Sequence, residues 1–288
     1  RTTVRWRHHD VSRCGGARRT GRHLATDLAD PDLRGLLVFG DARAVNPSSL
    51  LRGIGDILPG VDVIGAMARS RSWTLVDGRP RTGAISAVGL IGDSILLGTG
   101  TASGWEPDGP TRLVTSSYGD VVWSVDDAPF VDIFGDGRRG DLRIHHRAAS
   151  TPIVVRDLDD RPITRAVVEI DDRTGAVRCG GDVPQGSEIQ FLRAEAELLV
   201  DAARLAAKQA VSGREQFALV CTGAHRGRVL ADRTLDESRA VADVLDAGCE
   251  MLTLRTDAEL VTPAPVFGED DGAHNASITV ATISESLA

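Results

Sequence analysis

Cys221 is the residue whose type and neighbours come closest to a catalytic nucleophile. It ends the apolar run Gln216–Cys221, and His225 and Arg226 follow closely. A nearby imidazole or guanidinium lowers the pKa of a thiol and so favours the nucleophilic thiolate. A cysteine that ends a buried strand, however, commonly packs as a small apolar side chain. We favour the core interpretation and predict no catalytic residue and no enzymatic activity.

Metal and cofactor chemistry has little support in the residue spacing. The histidines include the adjacent pairs His8-His9 and His145-His146. Neighbours on an extended chain point to opposite faces and rarely bind one ion. Cys221 and His225 lack a second pair of ligands that would complete a zinc site. The sequence therefore predicts no metal site and no cofactor.

Composition bounds the partners of the chain. It has 288 residues and a formal net charge of −8, which argues against nucleic acid because phosphate binding needs clustered cations. Its four cysteines contain no Cys-x-x-Cys pair, which is typical of reduced thiols in the cytoplasm. No apolar run reaches membrane-spanning length. We expect a cytoplasmic protein that binds neither nucleic acid nor a membrane.

The elements that would position these side chains are strands and hairpins around a few helices. Asn46-Pro47 predicts the start of one helix, and Ala194–Ala210 predicts the longest one. Thr234 and Glu237 have the spacing of a capping box, in which Glu237 would bond back to the N-cap. No internal repeat of fixed period is visible. The order predicts an α+β fold, with mixed and antiparallel sheets, covering helices and two domains.

Several segments, taken in order, carry a resemblance to a known family. Gly104–Phe134 combines a Gly-Trp turn, two strands, a polar turn and an Ala-Pro helix start. The second half adds further matches, among them Val183–Gly186, Ala218–Gly223, Asp257–Leu260 and His274–Ser277. The hairpin Arg165–Cys179, the long helix from Ala194 and Glu237 in a later helix also match. Together these segments resemble the FIST N-terminal and C-terminal domains, which occur in proteins of signal transduction.

The resemblance implies a domain organisation. Residues 1–32 read as an arginine-rich arm or a truncated edge, because the family normally has a further strand and helix there. Residues 33–135 resemble a partial FIST N-terminal domain, 136–151 a linker, and 152–288 the FIST C-terminal domain. The chain departs from the family pattern at Gly65-Ala66, at Ala258, and in the spacing from Cys221 to Arg226.

The function that the resemblance implies is a sensory module that binds a small ligand, with amino acids as the suggested class, and relays to a signalling protein. An amino acid needs a cation and an anion in one pocket, which Arg226 or Arg228 with Glu237 or Glu259 would supply. The candidate ligand-binding residues that follow from the matched segments are Trp105, Thr115, Cys221, Arg226, Arg228, Glu237, Glu259, His274 and Asn275.

Two other functions stay open at this point. The first is a protein-interaction scaffold without a ligand, which pairing of the candidate polar residues with one another would favour. The second is a hydrolase or transferase that uses Cys221, which rapid selective labelling of its thiol would favour.

Overall fold

The computed structural model describes residues 2–41, 45–68, 74–76, 78–135, 140–156, 162–262 and 272–286. The strands are β1 (Thr3–Asp10), β2 (Leu33–Asp41), β3 (Asp62–Ala68), β4 (Thr74–Val76), β5 (Arg79–Arg81), β6 (Ala84–Ile91), β7 (Ile95–Ala102), β8 (Glu106–Tyr118), β9 (Val121–Val125), β10 (Ala128–Pro129), β11 (Ile153–Arg156), β12 (Pro162–Arg165), β13 (Val167–Ile170), β14 (Val177–Cys179), β15 (Glu188–Arg193), β16 (Phe217–Gly223), β17 (Glu250–Thr256), β18 (Ala258–Val261), β19 (Ala273–His274) and β20 (Ile278–Glu285). The α-helices are α1 (Val11–Cys14), α2 (Ala17–Leu28), α3 (Pro47–Gly55), α4 (Leu142–Ala148), α5 (Ala196–Ala210), α6 (Arg226–Leu230) and α7 (Thr234–Ala242).

Two of the sheets repeat one topology. The first runs β1-β6-β2-β3, continued by β18-β19, and the second runs β7-β20-β16-β17. In both, the first three strands are antiparallel neighbours and the last two are parallel. Helix α3 connects the parallel strands of the first sheet, and α6 and α7 connect those of the second. The chain therefore contains a structural duplication, which insertions of unequal length hide from a search for a fixed period.

The two sheets pack face to face with helices outside. Their shared interior contains Ile64 and Ala66 from one sheet and Leu219, Cys221 and Ala281 from the other. Alternate residues of the strands turn outward and pack under α2 and α3 on one side and under α5 and α7 on the other. The result is a layered helix–sheet–sheet–helix sandwich, and the predicted α+β class with mixed and antiparallel sheets is confirmed.

The third large sheet runs β12-β11-β15-β8-β9-β14-β13, with β10 beside β9. Helix α4 and a 3-10 helix (Phe130–Phe134) cover its apolar face. Each of the three large sheets contains strands from before residue 136 and from after it. The two halves of the chain therefore share their sheets.

The first 32 residues correct the prediction of an arm. Residues 3–28 form β1, α1 and α2. Leu24 and Leu28 are fully buried under the first sheet, while Arg18 and Arg22 both bind Asp56 on the surface. Apolar side chains at helical spacing are few in this segment, so the arginines concealed its amphipathic pattern. In the predicted linker, residues 136–139 lie outside the described residues, and α4 follows them.

The predicted helix starts had mixed outcomes. The Asn46 side chain accepts a hydrogen bond from the Ser49 amide, with Pro47 in the first turn, so this N-cap is confirmed. The capping box at Thr234 is wrong, because α7 already includes Thr234 and begins after Arg233, whose side chain makes no capping bond. Glu237 is thereby released from the capping role.

Helices α2 and α3 cross at a pair of glycines. A Cβ on Gly21 would lie 2.3 Å from the Leu50 carbonyl oxygen, and a Cβ on Gly53 would lie 2.1 Å from that of Arg18. Both distances are far below van der Waals contact, and the atoms they reach are backbone atoms of the opposite helix, which can move only if the helices separate. A Cβ on Gly55, in the same helix as Gly53, would meet nothing within 4 Å beyond its own helix and chain neighbours.

We predict opposite effects for alanine at these two helical glycines. Gly53→Ala should lower the free energy of unfolding by about 2 kcal/mol, because the helices must separate. Gly55→Ala should leave it unchanged or raise it by up to about 1 kcal/mol, because alanine restricts the unfolded chain. Chemical denaturation of the two variants measures the difference. Equal effects at both positions would contradict the close crossing.

Candidate functional site

A buried ion pair joins two of the predicted site residues. Arg226 begins α6, shortly after the end of β16, and its guanidinium Nε lies 2.6 Å from Oε1 of Glu237 in α7. The Glu237 Oε2 also accepts a hydrogen bond of 3.0 Å from the Thr222 hydroxyl. The side chains of Arg226 and Glu237 are 0% and 5% exposed. Their charges therefore satisfy each other inside the protein.

The rest of the Arg226 guanidinium binds backbone carbonyls. It donates to the oxygens of Ser103, Leu199 (2.8 Å) and Ala276 (3.4 Å). Burial lowers the pKa of Arg226, while the charge of Glu237 opposes that effect. One side chain thus links α6, α7, the start of α5, the β7–β8 connection and the turn before β20.

Glu259 forms a second buried polar group. Its Oε1 accepts from the Thr256 hydroxyl at 2.5 Å, and its Oε2 accepts from the Ser277 hydroxyl at 2.6 Å. The residue is completely buried. Burial raises the pKa of Glu259 to about 7, although these hydrogen bonds act in the opposite direction.

Cys221 lies in the interior between the two sheets. It is 1% exposed and belongs to the apolar cluster there. Burial, and secondarily the charge of Glu259, raise the pKa of its thiol. A raised pKa disfavours the thiolate that a nucleophile needs.

Asn275 and its neighbours lie at a tight junction between sheets. The Asn275 amide donates to the carbonyls of Asp257 (3.0 Å) and Gly180 (3.3 Å). A Cβ on Gly180 would lie 2.5 Å from this amide, so the contact requires glycine. His274 lies beside it in β19, paired in register with Glu259. Asn275 is fully buried and holds backbone segments together.

Thr115 and Arg228 make contacts of other kinds. The Thr115 hydroxyl is 2.8 Å from that of Ser124 on β9 and accepts the Asp127 amide. Arg228 donates to the Ala149 carbonyl and, at 2.8 Å, to the Ser150 hydroxyl. Thr115 therefore joins the neighbouring strands β8 and β9, and Arg228 joins α6 to the segment after α4.

Trp105 lines an open cleft of about 310 Å³. The floor of the cleft is the Ala102–Glu106 segment, and α5 forms its other wall through Leu198, Asp201, Ala202 and Leu205. The Trp105 indole N–H donates to the Ala276 carbonyl at 2.7 Å. Since Arg226 donates to the same oxygen, the wall of the cleft is joined to the buried ion pair.

Two carboxylates line this cleft, Glu106 and Asp201, and each is paired with an arginine. Glu106 lies 3.5 Å from Arg193, and Asp201 lies 2.6 Å from Arg204. The side chains of all four are at least 40% exposed. Exposed pairs of this kind contribute little stability, so their charges are available to exchange partners with a bound ligand.

The structure thus brings some of the predicted residues into contact and places others in separate parts of the fold. Trp105, Arg226 and Glu237 form one connected group, and Cys221 lies near Glu259 in a second. A further cleft of about 370 Å³ borders Trp6, His8 and Ser86 and contains none of the predicted residues. We therefore take the Trp105 cleft as the candidate site.

Sequence reasoning missed Arg165 and the α5 wall of the cleft. Arg165 is fully buried and donates to the carbonyls of Asp182 and Ala273. Its place at the end of a hairpin strand gave no sign of burial. Leu205 on α5 is 51% exposed, and only the fold places it beside Trp105.

Comparison with protein families agrees with these features. The FIST N domain matches residues 2–128, and the FIST C domain matches residues 136–261. The chain belongs to the FIST family, whose domains are associated with sensory and signalling modules. The FIST N match includes the arginine-rich segment that was predicted to be an arm or a truncated edge, and the exact domain boundaries stay a prediction.

No curated protein matches the chain. Among solved structures, a DegV-family protein from Ruminococcus gnavus, described with vaccenic acid, is 12% identical, with a TM-score of 0.20. The match covers 49% of this chain and 48% of that protein, so the chain spans about half of its length.

We predict that loss of the buried Glu237 charge destabilises the fold far more than loss of the exposed Glu197 charge. Glu237→Gln leaves the buried Arg226 charge unpaired and should lower the free energy of unfolding by about 3 kcal/mol. Glu197→Gln breaks an ion pair whose glutamate is 69% exposed, so it should change the stability very little. Denaturant titration compares them. Equal losses would contradict the structural role of the buried pair.

The raised pKa of Glu259 predicts a pH dependence of stability. In the folded state the Glu259 carboxyl keeps its proton up to about pH 7, whereas the pKa of the same carboxyl in the unfolded chain has its ordinary value of 4.5. The stabilisation from this proton is complete below pH 4.5 and is lost as the pH rises through about 7, a loss of about 3 kcal/mol.

Glu259→Gln isolates this effect because glutamine has similar shape and does not titrate. The stability of the variant relative to the wild type should rise between pH 4.5 and pH 7. Unfolding curves of both proteins across that range provide the measurement. A constant difference would contradict the raised pKa.

Proposed function

We propose that this chain is a cytoplasmic FIST sensory module that binds a small ligand in the Trp105 cleft, relays its presence to a signalling protein and carries out no catalysis. The carrying observation is the shared Ala276 carbonyl, which accepts hydrogen bonds from both Trp105 and Arg226. A group that touches the ligand is thus one contact away from the buried ion pair. The buried, high-pKa thiol of Cys221 supports the non-catalytic part of the proposal.

The chemistry of the cleft fits an amino acid with an apolar side chain. Trp105, Leu198 and Leu205 offer apolar surface, and a volume of about 310 Å³ suits a small molecule. Glu106 or Asp201 would accept the ammonium group of the ligand. Arg193 or Arg204, which now pair with those carboxylates, would bind the ligand carboxylate. In this proposal the exposed charged residues at the cleft bind the ligand, and the buried Arg226 and Glu237 do not.

The relay needs a structural difference between the free and bound states. A ligand shifts a conformational equilibrium only by the difference in its affinity for the two states. Movement of Trp105 would change the Ala276 turn and, through Arg226, the positions of α5 and α7. These helices form an outer layer of the sandwich, where a signalling partner would detect the change.

A protein-interaction scaffold without a ligand is the second candidate. One observation favours it: several predicted polar residues already bind other groups of the protein, as Arg226 and Glu237 bind each other. In this alternative the cleft has no ligand, and the polar interior serves stability alone.

Exposed leucines on neighbouring helices provide a matched test. Leu205 lines the cleft and is 51% exposed, and Leu235 on α7 is 63% exposed and does not line it. In a thermal-shift and calorimetric screen of the amino acids, at least one apolar member should bind the wild type. Leu205→Glu should weaken that binding at least about tenfold, because it adds a carboxylate to an apolar wall. Leu235→Glu should bind as the wild type does.

Two outcomes would contradict the proposal. Equal affinities for the Leu205→Glu and Leu235→Glu variants would place the ligand elsewhere. No binding of any amino acid to the folded wild type would favour the scaffold. Both variants change exposed positions, so unfolding is not expected to obscure the comparison.

A further inference from the structure

A cluster of possible metal ligands lies beside β1, the edge strand of the first sheet, in the segment that the sequence predicted to be an arm. His9, Cys14 and His23 each direct one potential ligand atom into a small region, and these atoms all lie within 4.8 Å of one another. In the sequence, His9 stood out only beside its neighbour His8. The fold instead brings His9 together with residues from two helices.

Local structure explains the convergence. His9 is the penultimate residue of β1, and Asp10 caps the short helix α1 by accepting a hydrogen bond from the Arg13 amide. Cys14 ends that helix. Gly15 and Gly16 then have φ of 78° and 115°, and these left-handed conformations reverse the chain into α2. His23, in the second turn of α2, thereby lies against Cys14 and His9.

The distances suit a tetrahedral metal centre. Cys14 Sγ lies 3.5 Å from His23 Nδ1. A zinc ion bound tetrahedrally by sulfur and nitrogen separates the two ligand atoms by roughly 3.5 Å. The rings of His9 and His23 meet edge to face, with centroids 5.5 Å apart. Drawing the His9 nitrogen inward by about 1 Å would complete a three-ligand set.

Asp27 supplies a further feature of metal sites. Its Oδ2 lies 2.8 Å from Nε2 of His9, and it stands one helical turn after His23 on α2. Metal-binding histidines commonly direct their second nitrogen to a carboxylate, which fixes the ring and raises its basicity. In this arrangement Asp27 would hold the His9 ring while the other ring nitrogen binds the metal.

We propose that His9, Cys14 and His23, supported by Asp27, form a zinc-binding site that fastens strand β1 to helix α2. Two imidazoles and a thiolate form a ligand set that suits zinc, and a half-exposed position leaves room for a water or carboxylate as the fourth ligand. On binding, Cys14 transfers its proton to solvent, so the metal receives a thiolate. The site lies apart from the proposed ligand cleft and does not depend on it.

Cobalt serves as the spectroscopic probe, because tetrahedral cobalt bound to thiolate has a charge-transfer band. Zinc displaces the cobalt, and the band then disappears. The full chain, stripped of metal by a chelator, should develop this band at one cobalt per chain. Cys14→Ser should abolish the band. Cys249→Ser changes another partly buried free cysteine and should retain it.

Histidine and aspartate variants provide an independent readout by zinc calorimetry. His23→Gln should weaken zinc binding to the background level, whereas His146→Gln, at another exposed histidine, should leave it unchanged. Asp27→Asn should weaken it by roughly 10- to 100-fold. A charge-transfer band in Cys14→Ser, no band in the wild type, or equal zinc affinity in His23→Gln and the wild type would each overturn the proposal.

Discussion

The buried guanidinium of Arg226 is the interaction on which the centre of this molecule depends. Removal of a cation from water costs several kcal/mol, and only a paired charge and well-placed acceptors offset that cost. Glu237 supplies the charge, and the carbonyls of Leu199 and Ala276 are among the acceptors. Because these groups come from separate elements, the guanidinium is satisfied only when all of them are in place. Because Trp105 and Arg226 share the Ala276 carbonyl, the need to satisfy the buried guanidinium also fixes the geometry of the Trp105 cleft.

The shared sheets extend this dependence to the whole chain. Both halves of the sequence contribute strands to each large sheet, so neither FIST domain completes its sheets without the other. The duplicated topology places one helical layer on each side of the sandwich. Only the second unit receives the insertion β8–β15, and the cleft forms where that insertion leaves β7 and meets α5.

Local patterns in the sequence predicted part of this account. The Asn46 cap, helix α5 and the α+β sandwich follow from apolar spacing and turn chemistry, and the order of motifs identified the family. Tertiary contacts decided the rest. Glu237 has capping-box spacing, yet its partner is a buried arginine on another helix. The fold of the first 32 residues was missed because their few buried leucines lie among arginines. The duplication was missed because its units differ in their insertions.

Hydrogen exchange of the Trp105 indole N–H, followed by NMR, reports whether Arg226 holds the cleft wall through the Ala276 carbonyl. This proton should exchange slowly in the wild type and clearly faster in Arg226→Lys, since lysine lacks the planar fork of donors. The backbone amides of β2 and β3 should keep their protection in that variant. Rapid exchange of the Trp105 indole in the wild type, or an unchanged rate in Arg226→Lys, would show that Arg226 does not hold the wall.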